Sequence, residues 1–380
     1  MPAERFEFRI SVSRLLIGVL LTILPISLVG LWSIAQTRSS LRVNIGTHFR
    51  TIAQSTAAEV SRFVHDRLTT VSLMARAPLV VETIVTANAG YRGMSENAIG
   101  EKIRRIESIW ETPAADSVVQ PILSSRTSRF LRQCREADKR FLRITVTDAR
   151  GATVAGTHKT LDYYQADEDF WEQIYAQGRG GVNITDVLYD DATKSYYIGI
   201  GVPVMEEGTN RFLGAVDALV DVSTLFPLVQ RPQEGSSWHT LLVKDDGTVI
   251  AGPEVNLALD LKSEEYAALE DAPQLLGPRQ TGYLEASFRG GAQRLIGFAD
   301  TGLKQDYRNL GWLVLVSQDT REAYAPIRAA GRLIGLMSLV GLAGVILLAV
   351  YFALHRTQVV TEIEPLRHEY GSPSGGAASE

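Results

Sequence analysis

Two uninterrupted apolar runs, Leu15–Ala35 and Leu333–Leu354, bracket this chain of 380 residues, and neither contains a charged side chain. They hold 21 and 22 residues, and at a helical rise of about 1.5 Å per residue each reaches across a hydrocarbon layer of about 30 Å. Backbone groups in lipid find no water to bond, so a helix is the expected form of both. Two crossings leave both ends on one side and the 297 residues Gln36–Arg332 on the other. The expectation is a membrane-anchored ectodomain.

Composition alone does not show this. Forty-five per cent apolar residues and a net charge of −5 suit a soluble enzyme equally well; the grouping of the apolar residues is the signal. Cys134 is the only cysteine, so no intramolecular disulfide forms, which favours a bacterial inner membrane with a periplasmic domain over a eukaryotic secreted one. Arg5, Arg9 and Arg14 precede the first run and Arg356 and Arg367 follow the second. Arg38, Arg42, Arg321, Arg328 and Arg332 sit on the opposite flanks. The positive-inside bias is therefore weak, but a loop this long is translocated largely regardless of charge. Ser33-Ile34-Ala35 resembles a cleavage site, yet the apolar core is longer than the usual signal-peptide stretch of about 7–15 residues, so a retained span is expected.

Several function classes drop out. No strongly basic stretch points to nucleic acid. The six histidines are scattered without metal-ligand spacing. Gly178-Arg-Gly-Gly181 lacks the lysine of a phosphate-binding loop. No cluster of catalytic groups appears, so the reading is not an enzyme, with no catalytic residues, metal or cofactor.

From Gln36 to Ala77 the chain reads as one long helix, with Ile45, Phe49, Ile52, Thr56, Val60, Val64, Leu68 and Val71 forming a stripe that Pro78 ends or bends. Shorter helices are expected at Leu79–Asn88, around Ile99–Trp110 and over Pro121–Ala137. At Phe141 the period changes to two: Leu142, Ile144 and Val146 alternate with Arg143, Thr145 and Thr147. Further strands are expected at Ala152–Gly156, Val182–Tyr189, Tyr196–Val204 and Phe212–Val222, with a helix at Asp167–Gln177. The pattern then repeats. Val146–Gly156 is echoed by Leu242–Gly252, Tyr197-Ile-Gly199 by Leu295-Ile-Gly297, and Gly214 by Gly311, at offsets of 96, 98 and 97 residues. Two similar sheet modules follow from so steady a spacing.

A long membrane-anchored helix, a repeated strand–Asp/Gly turn–strand, an aromatic-rich helix after the first hairpin, and Gly311-Trp312 leading to the second span together resemble the double-Cache (dCache) sensor ectodomains over roughly Gln36–Arg332. The resemblance implies an α+β fold: a long N-terminal helix with two tandem PAS-like (Cache) antiparallel-sheet modules, flanked by two transmembrane helices. The expected division is a cytoplasmic N-terminus 1–14, a first span 15–35, a stalk and helical lead-in 36–140, a membrane-distal module 141–232, a membrane-proximal module 233–320, a connecting helix 321–332, a second span 333–354 and a cytoplasmic tail 355–380. Within that tail, Ile363-Glu-Pro-Leu366 resembles the opening of a HAMP signalling helix. The expectation is an output domain that has been lost, has been cut away from this stretch of chain, or is supplied by a separate protein.

The resemblance also implies a ligand site. Family members that bind amino acids carry a Tyr seven residues, and an Arg two residues, before a Trp. Here Tyr164 and Trp171 keep the spacing, but Asp169 stands where the carboxylate-binding Arg would be, which favours a neutral or cationic ligand. Tyr189 matches the family's aromatic on the following strand. The family's late Asp falls near Leu219, with Asp217 two residues earlier on the same strand face. The candidate ligand-binding set is Tyr164, Asp169, Trp171, Tyr189, Asp190, Tyr197 and Asp217. Aromatics beside carboxylates suit an amine, although Trp171 and Tyr175 equally suit helix-to-sheet packing. The expected function is a sensor that binds a small molecule in the distal module and signals through the second span, as a homodimer. A structural or adaptor protein whose ectodomain binds another protein is the alternative.

Overall fold

The computed structural model describes residues 12–190, 195–229, 235–253, 261–275, 280–288 and 291–354. The tail from 355 onward, with the Ile363–Leu366 segment, lies outside the described residues. The chain forms two compact units, one of Ile45–Ala323 and one of Met1–Asn44 with Tyr324–Glu380.

In the second of these units, helix α10 (Ala325–Leu354) contains a 24-residue stretch, Ala325–Leu348, that is long and apolar enough to cross a membrane; Ile327 near its start is buried, and Leu333, Leu336, Met337, Leu339, Val340 and Leu347 are exposed. It is the one straight helix of that kind among the described residues. The first apolar run is helical within α1 (Val12–Ala75), where Ile17, Leu21, Val29 and Trp32 are exposed; most of its other side chains lie outside the described residues. A bent pair, Ala35–Ala75 with α2 (Pro78–Ala89), also passes on composition. Its apolar residues Val60, Val64, Val71, Val80 and Ile84 are fully buried within the protein, so it is a core element and not a span.

From Ile45 onward α1 lines the larger unit. Phe49, Thr56, Val60, Val64 and Val71 are buried and Ile45, Ile52 and Leu68 half-buried, so the stripe is covered by this chain's own modules. The Phe49 ring lies 4.6 Å from that of Trp238, and Arg67 Nε is 3.3 Å from Asp138 Oδ2. The helix stops at Ala75 because Ala77 must be extended before Pro78, which then serves as the first residue of α2. Helix α3 (Glu96–Trp110) starts on a Ser95 cap. The single helix expected over Pro121–Ala137 is two, α4 (Asp116–Leu123) and α5 (Arg126–Ala137). Ser125 breaks it by capping the Ser128 amide.

The first sheet is built from β1 (Phe141–Asp148), β2 (Thr153–Gly156), β3 (Asn183–Ile184), β4 (Leu188–Asp190), β5 (Ser195–Met205) and β6 (Phe212–Asp221), in the order β2-β1-β6-β5-β3 with β4 also on β5. The second contains β7 (His239–Lys244), β8 (Val249–Ala251), β9 (Thr281–Ser287), β10 (Gln293–Asp300) and β11 (Trp312–Asp319), in the order β8-β7-β11-β10-β9. All pairs are antiparallel. Helices α6 (Asp169–Tyr175) and α8 (Glu264–Glu270) occupy matching places after the two hairpins, and α7 (Phe226–Val229) and α9 (Thr320–Ala323) follow β6 and β11. The expected helix end at Gln177 is shortened because Ala176 and Gln177 turn left-handed.

The repeat is exact in its turns. Gly151 and Gly247 both have φ near +80°, their amides donate to Asp148 O and Lys244 O, and their carbonyls accept from Gln165 N and Ser263 N. A Cβ at Gly151 would overlap Ala166, and one at Gly247 the Tyr266 ring. Register also corrects two echoes: Gly214, paired with Asp148, corresponds to Trp312, paired with Lys244, and not to Gly311. Arg143, Leu219 and Gly199 form one row across the first sheet, and His239, Ser317 and Ile296 the matching row of the second. Gly199 therefore corresponds to Ile296. Gly297 lies on the opposite face, against the Phe49 backbone.

Gly151→Ala and Gly247→Ala should each lower stability by about 1–3 kcal/mol, through left-handed strain and overlap together. Chemical denaturation measures this, and an unchanged midpoint for either would contradict the turn assignment.

Candidate functional site

Each sheet turns one face to helices that precede it in the chain, α2 and α5 for the first and α1 for the second, and the other to α6 or α8. In the first module the α6 face carries Arg143, Thr145 and Thr147 from β1, Ala215, Asp217 and Leu219 from β6, and Tyr197, Gly199 and Gly201 from β5. Helix α6 covers only one end. Trp171 is 5% exposed, donates from Nε1 to Thr147 Oγ1 at 2.9 Å, and stacks on Tyr175 with Phe212 at its edge. Ile174 lies over Gly201, where a Cβ would overlap its Cδ1.

The other end is open. A cavity of about 410 Å³ is floored by Arg143, Asp217, Leu219, Gly199 and Tyr197, roofed by residues 160–173, and closed at one side by residues 183–188 and Asn309. Among the described residues the lining holds five carboxylates, Asp162, Glu168, Asp169, Asp186 and Asp217, and one cation, Arg143. Asp186 is already paired with Lys244, and Asp162 accepts from Gln165. Among the described residues Glu168, Asp169 and Asp217 have no hydrogen-bond or ion-pair partner on their carboxylates. Arg143 Nε and Thr145 Oγ1 are likewise buried without one. Leaving such groups unmet costs about 1–3 kcal/mol each, which a polar ligand would offset. Asp217 lies deep in the protein, with part of its surface open to the cavity. Burial pushes its carboxyl up to about 6, and the Arg143 charge pulls back only part of the way. Glu168 is raised too, by burial and then by its neighbours Asp162, Asp167 and Asp169.

Of the seven residues proposed from sequence, the cavity unites Asp169, Tyr197 and Asp217. Tyr164 and Trp171 do meet, but in a separate, more open groove with Arg150, Tyr175 and Arg179. The Tyr164 amide donates to Glu107 Oε2 at 2.7 Å, and Trp171 belongs to the helix-to-sheet core. Tyr189 is 47% exposed, its ring 4.9 Å from that of Tyr196. Asp190 ends β4, paired in register with Ser195; its side chain lies outside the described residues. Arg143 lies on the polar face of β1, and alternation alone does not mark that face as part of a site. The available signal was Gly199 and Gly201 in one strand, which make room on that face.

The second module fills the same face. Leu241, Leu315 and Phe298 stand where Thr145, Asp217 and Gly201 stand in the first, and pack with Tyr266 and Leu269. At Arg143's counterpart, His239 Nε2 lies 2.6 Å from Glu265 Oε1, which also receives Arg294 at 3.2 Å and Ser317 at 3.1 Å. Burial works against the Glu265 charge, but bonding to His239 and Ser263 outweighs it and holds the carboxyl at about 2. No metal-type cluster of three or more His, Cys, Asp or Glu occurs among the described residues.

The Cache domain model of the double type, dCache_1, matches residues 37–327. The chain belongs to the Cache domain family, whose double-type members are extracytoplasmic sensor domains of membrane receptors. Solved structures of similar fold include the ligand-binding domain of the Pseudomonas aeruginosa amino acid chemoreceptor PctC with GABA (15% identity, 72% of this chain and 99% of that one, TM-score 0.46). The Campylobacter jejuni chemoreceptor Tlp3 sensory domain with isoleucine (13%, 76% and 97%, 0.48) is another. A third is the Pseudomonas fluorescens chemoreceptor CtaA domain with L-leucine (16%, 75% and 99%, 0.45). A search of curated proteins finds no match.

Two outcomes follow from the geometry. Asp217 binds its proton more tightly folded than unfolded, so its ionisation costs stability as pH rises from about 4 through about 6. Asp217→Asn should exceed the wild type by about 1–3 kcal/mol at about pH 8, the gap closing towards about pH 4; a pH-independent gap in denaturation curves would contradict this. Trp171→Ala should cost about 3–5 kcal/mol of stability as a core truncation, and a near-neutral result would return Trp171 to the ligand set.

Proposed function

We propose that the chain is a membrane-anchored extracytoplasmic receptor of a bacterial inner membrane, in which the first, membrane-distal module binds a small neutral or cationic molecule and α10 carries the response across the membrane. One observation carries the reading: equivalent sheet faces are treated oppositely, filled and internally neutralised in the second module, open and carboxylate-rich in the first. The proposed contacts are Asp169, Tyr197 and Asp217 with Glu168 and Asp162; Tyr189 and Asp190 stay at the rim of the proposal, and Tyr164 and Trp171 brace α6. An amine inserted among these carboxylates gains charge-assisted hydrogen bonds in a partly desolvated site. The ligand shifts the population of module conformations towards the one it fits. A separate cytoplasmic output protein would read the change. A homodimer would use a surface other than the α1 stripe, which this chain covers itself.

Thermal-shift and calorimetric screening of the purified chain against short-chain primary amines, matched alcohols and matched carboxylic acids tests the ligand class. A bound amine at about 100 times its Kd should add about 2.7 kcal/mol of stability. Asp169→Asn should weaken an amine by about tenfold and leave a neutral ligand nearly unchanged. Tight binding of a dicarboxylate, indifferent to Asp169→Asn and Asp217→Asn, would overturn the reading. For topology, a reporter active only outside the cytoplasm should work when fused after Thr160 and fail after Glu380; activity at Glu380 would mean a misread span.

A further inference from the structure

The wall of the cavity formed by residues 183–188 is held from the second module. Asp186, in the gap between β3 and β4, lines the cavity. Its Oδ1 accepts from its neighbour's amide, Val187 N, at 2.8 Å and from Trp312 Nε1 at 3.0 Å, and its Oδ2 lies 2.7 Å from Lys244 Nζ. Trp312 and Lys244 are partners in register on β11 and β7, so both bonds come from one rung of the second sheet. Trp312 is fully buried, which fixes its indole. Asn309 adds a third tie, donating from Nδ2 to Ile184 O at 3.0 Å while itself lining the cavity.

We propose that Asp186 is a positioning residue shared by the cavity and the second sheet, and that a cation entering the cavity competes with Lys244 for its carboxylate and thereby loosens the start of β11. The proposal rests on the first-module cavity being the sensing site. Its physical basis is the charge balance of the lining: among the described residues five carboxylates face one guanidinium, and Lys244 reaches Asp186 from outside, so a positive charge placed beside Asp186 draws on the oxygen atoms that hold Lys244. Trp312 supplies the mechanical half. An indole donor has one hydrogen to give, and if Asp186 turns inward that hydrogen loses its acceptor in a buried place. The disturbance falls on the first residue of β11, the strand that continues through α9 into α10.

The test needs no knowledge of the natural ligand. Gln173 lines the cavity from α6, and Gln173→Cys in a Cys134→Ser background offers one thiol there. Labelling the full chain with 2-aminoethyl methanethiosulfonate leaves a tethered ammonium in the cavity; methyl methanethiosulfonate leaves a neutral group. Hydrogen exchange over Trp312–Ala323 is then followed by mass spectrometry. The ammonium label should speed exchange there by about threefold or more, the neutral label should not, and Asp186→Asn or Lys244→Met should abolish the difference between labels. An ammonium label that leaves β11 unchanged, or a difference that persists in full in both variants, would overturn the proposal. If the label acts while no free amine binds the wild type, the ligand class fails and the coupling stands.

Discussion

A β-sheet with two apolar or half-apolar faces must have both covered, and this structure turns on how each sheet covers its second face. The first face is covered by helices in both modules, by α2 and α5 in the first and by α1 in the second. The second face is closed in one module by Phe298, Leu241, Leu315, Tyr266 and Leu269. In the other, α6 reaches only as far as Ile174, which packs over Gly201, and Gly199 leaves the remainder unfilled. The unfilled half is where the charged residues lie. A buried guanidinium nitrogen and a carboxylate without hydrogen bonds are costly in a folded protein; here they cluster in one cavity, which is what a site that waits for a polar partner requires.

The same duplication shows how charge is handled where the face is filled. His239, Arg294, Ser317 and Ser263 converge on Glu265 and leave it fully partnered at 5% exposure. Arg143 occupies the corresponding strand position yet bonds to nothing of this kind. The second module thus serves as an internal reference for the first: on the equivalent sheet face, the second pairs its buried carboxylate Glu265 and the first leaves Asp217 without a partner among the described residues. Asp186, Trp312, Lys244 and Asn309 then join the unsatisfied site to the satisfied sheet.

Much of the fold was readable because its signals are periodic or repeated. The α1 stripe, the break at Pro78, the period-two strands and the offset between Gly151 and Gly247 each reflect a local backbone requirement. The site was read less well, for two reasons. Alternation identifies the two faces of β1 but not what covers the polar one, where residues 160–168 and the start of α6 roof Arg143. The Tyr164–Trp171 spacing was real, but a short helix points Trp171 at Thr147 and not at Asp217, and nothing in the spacing distinguishes these. The slip between Gly199 and Gly297 has the same origin: one residue of register exchanges the faces of a strand.

The central claim is that space left at Gly199 makes the first module the binding one. Calorimetric titration of the purified chain and of Gly199→Ile, which installs the residue found at the equivalent position of the second module, tests it with the short-chain amine that most stabilises the wild type. The account predicts a folded variant whose affinity falls by about tenfold or more, about 1.4 kcal/mol. Equal affinity in the two proteins would place the ligand elsewhere and contradict it.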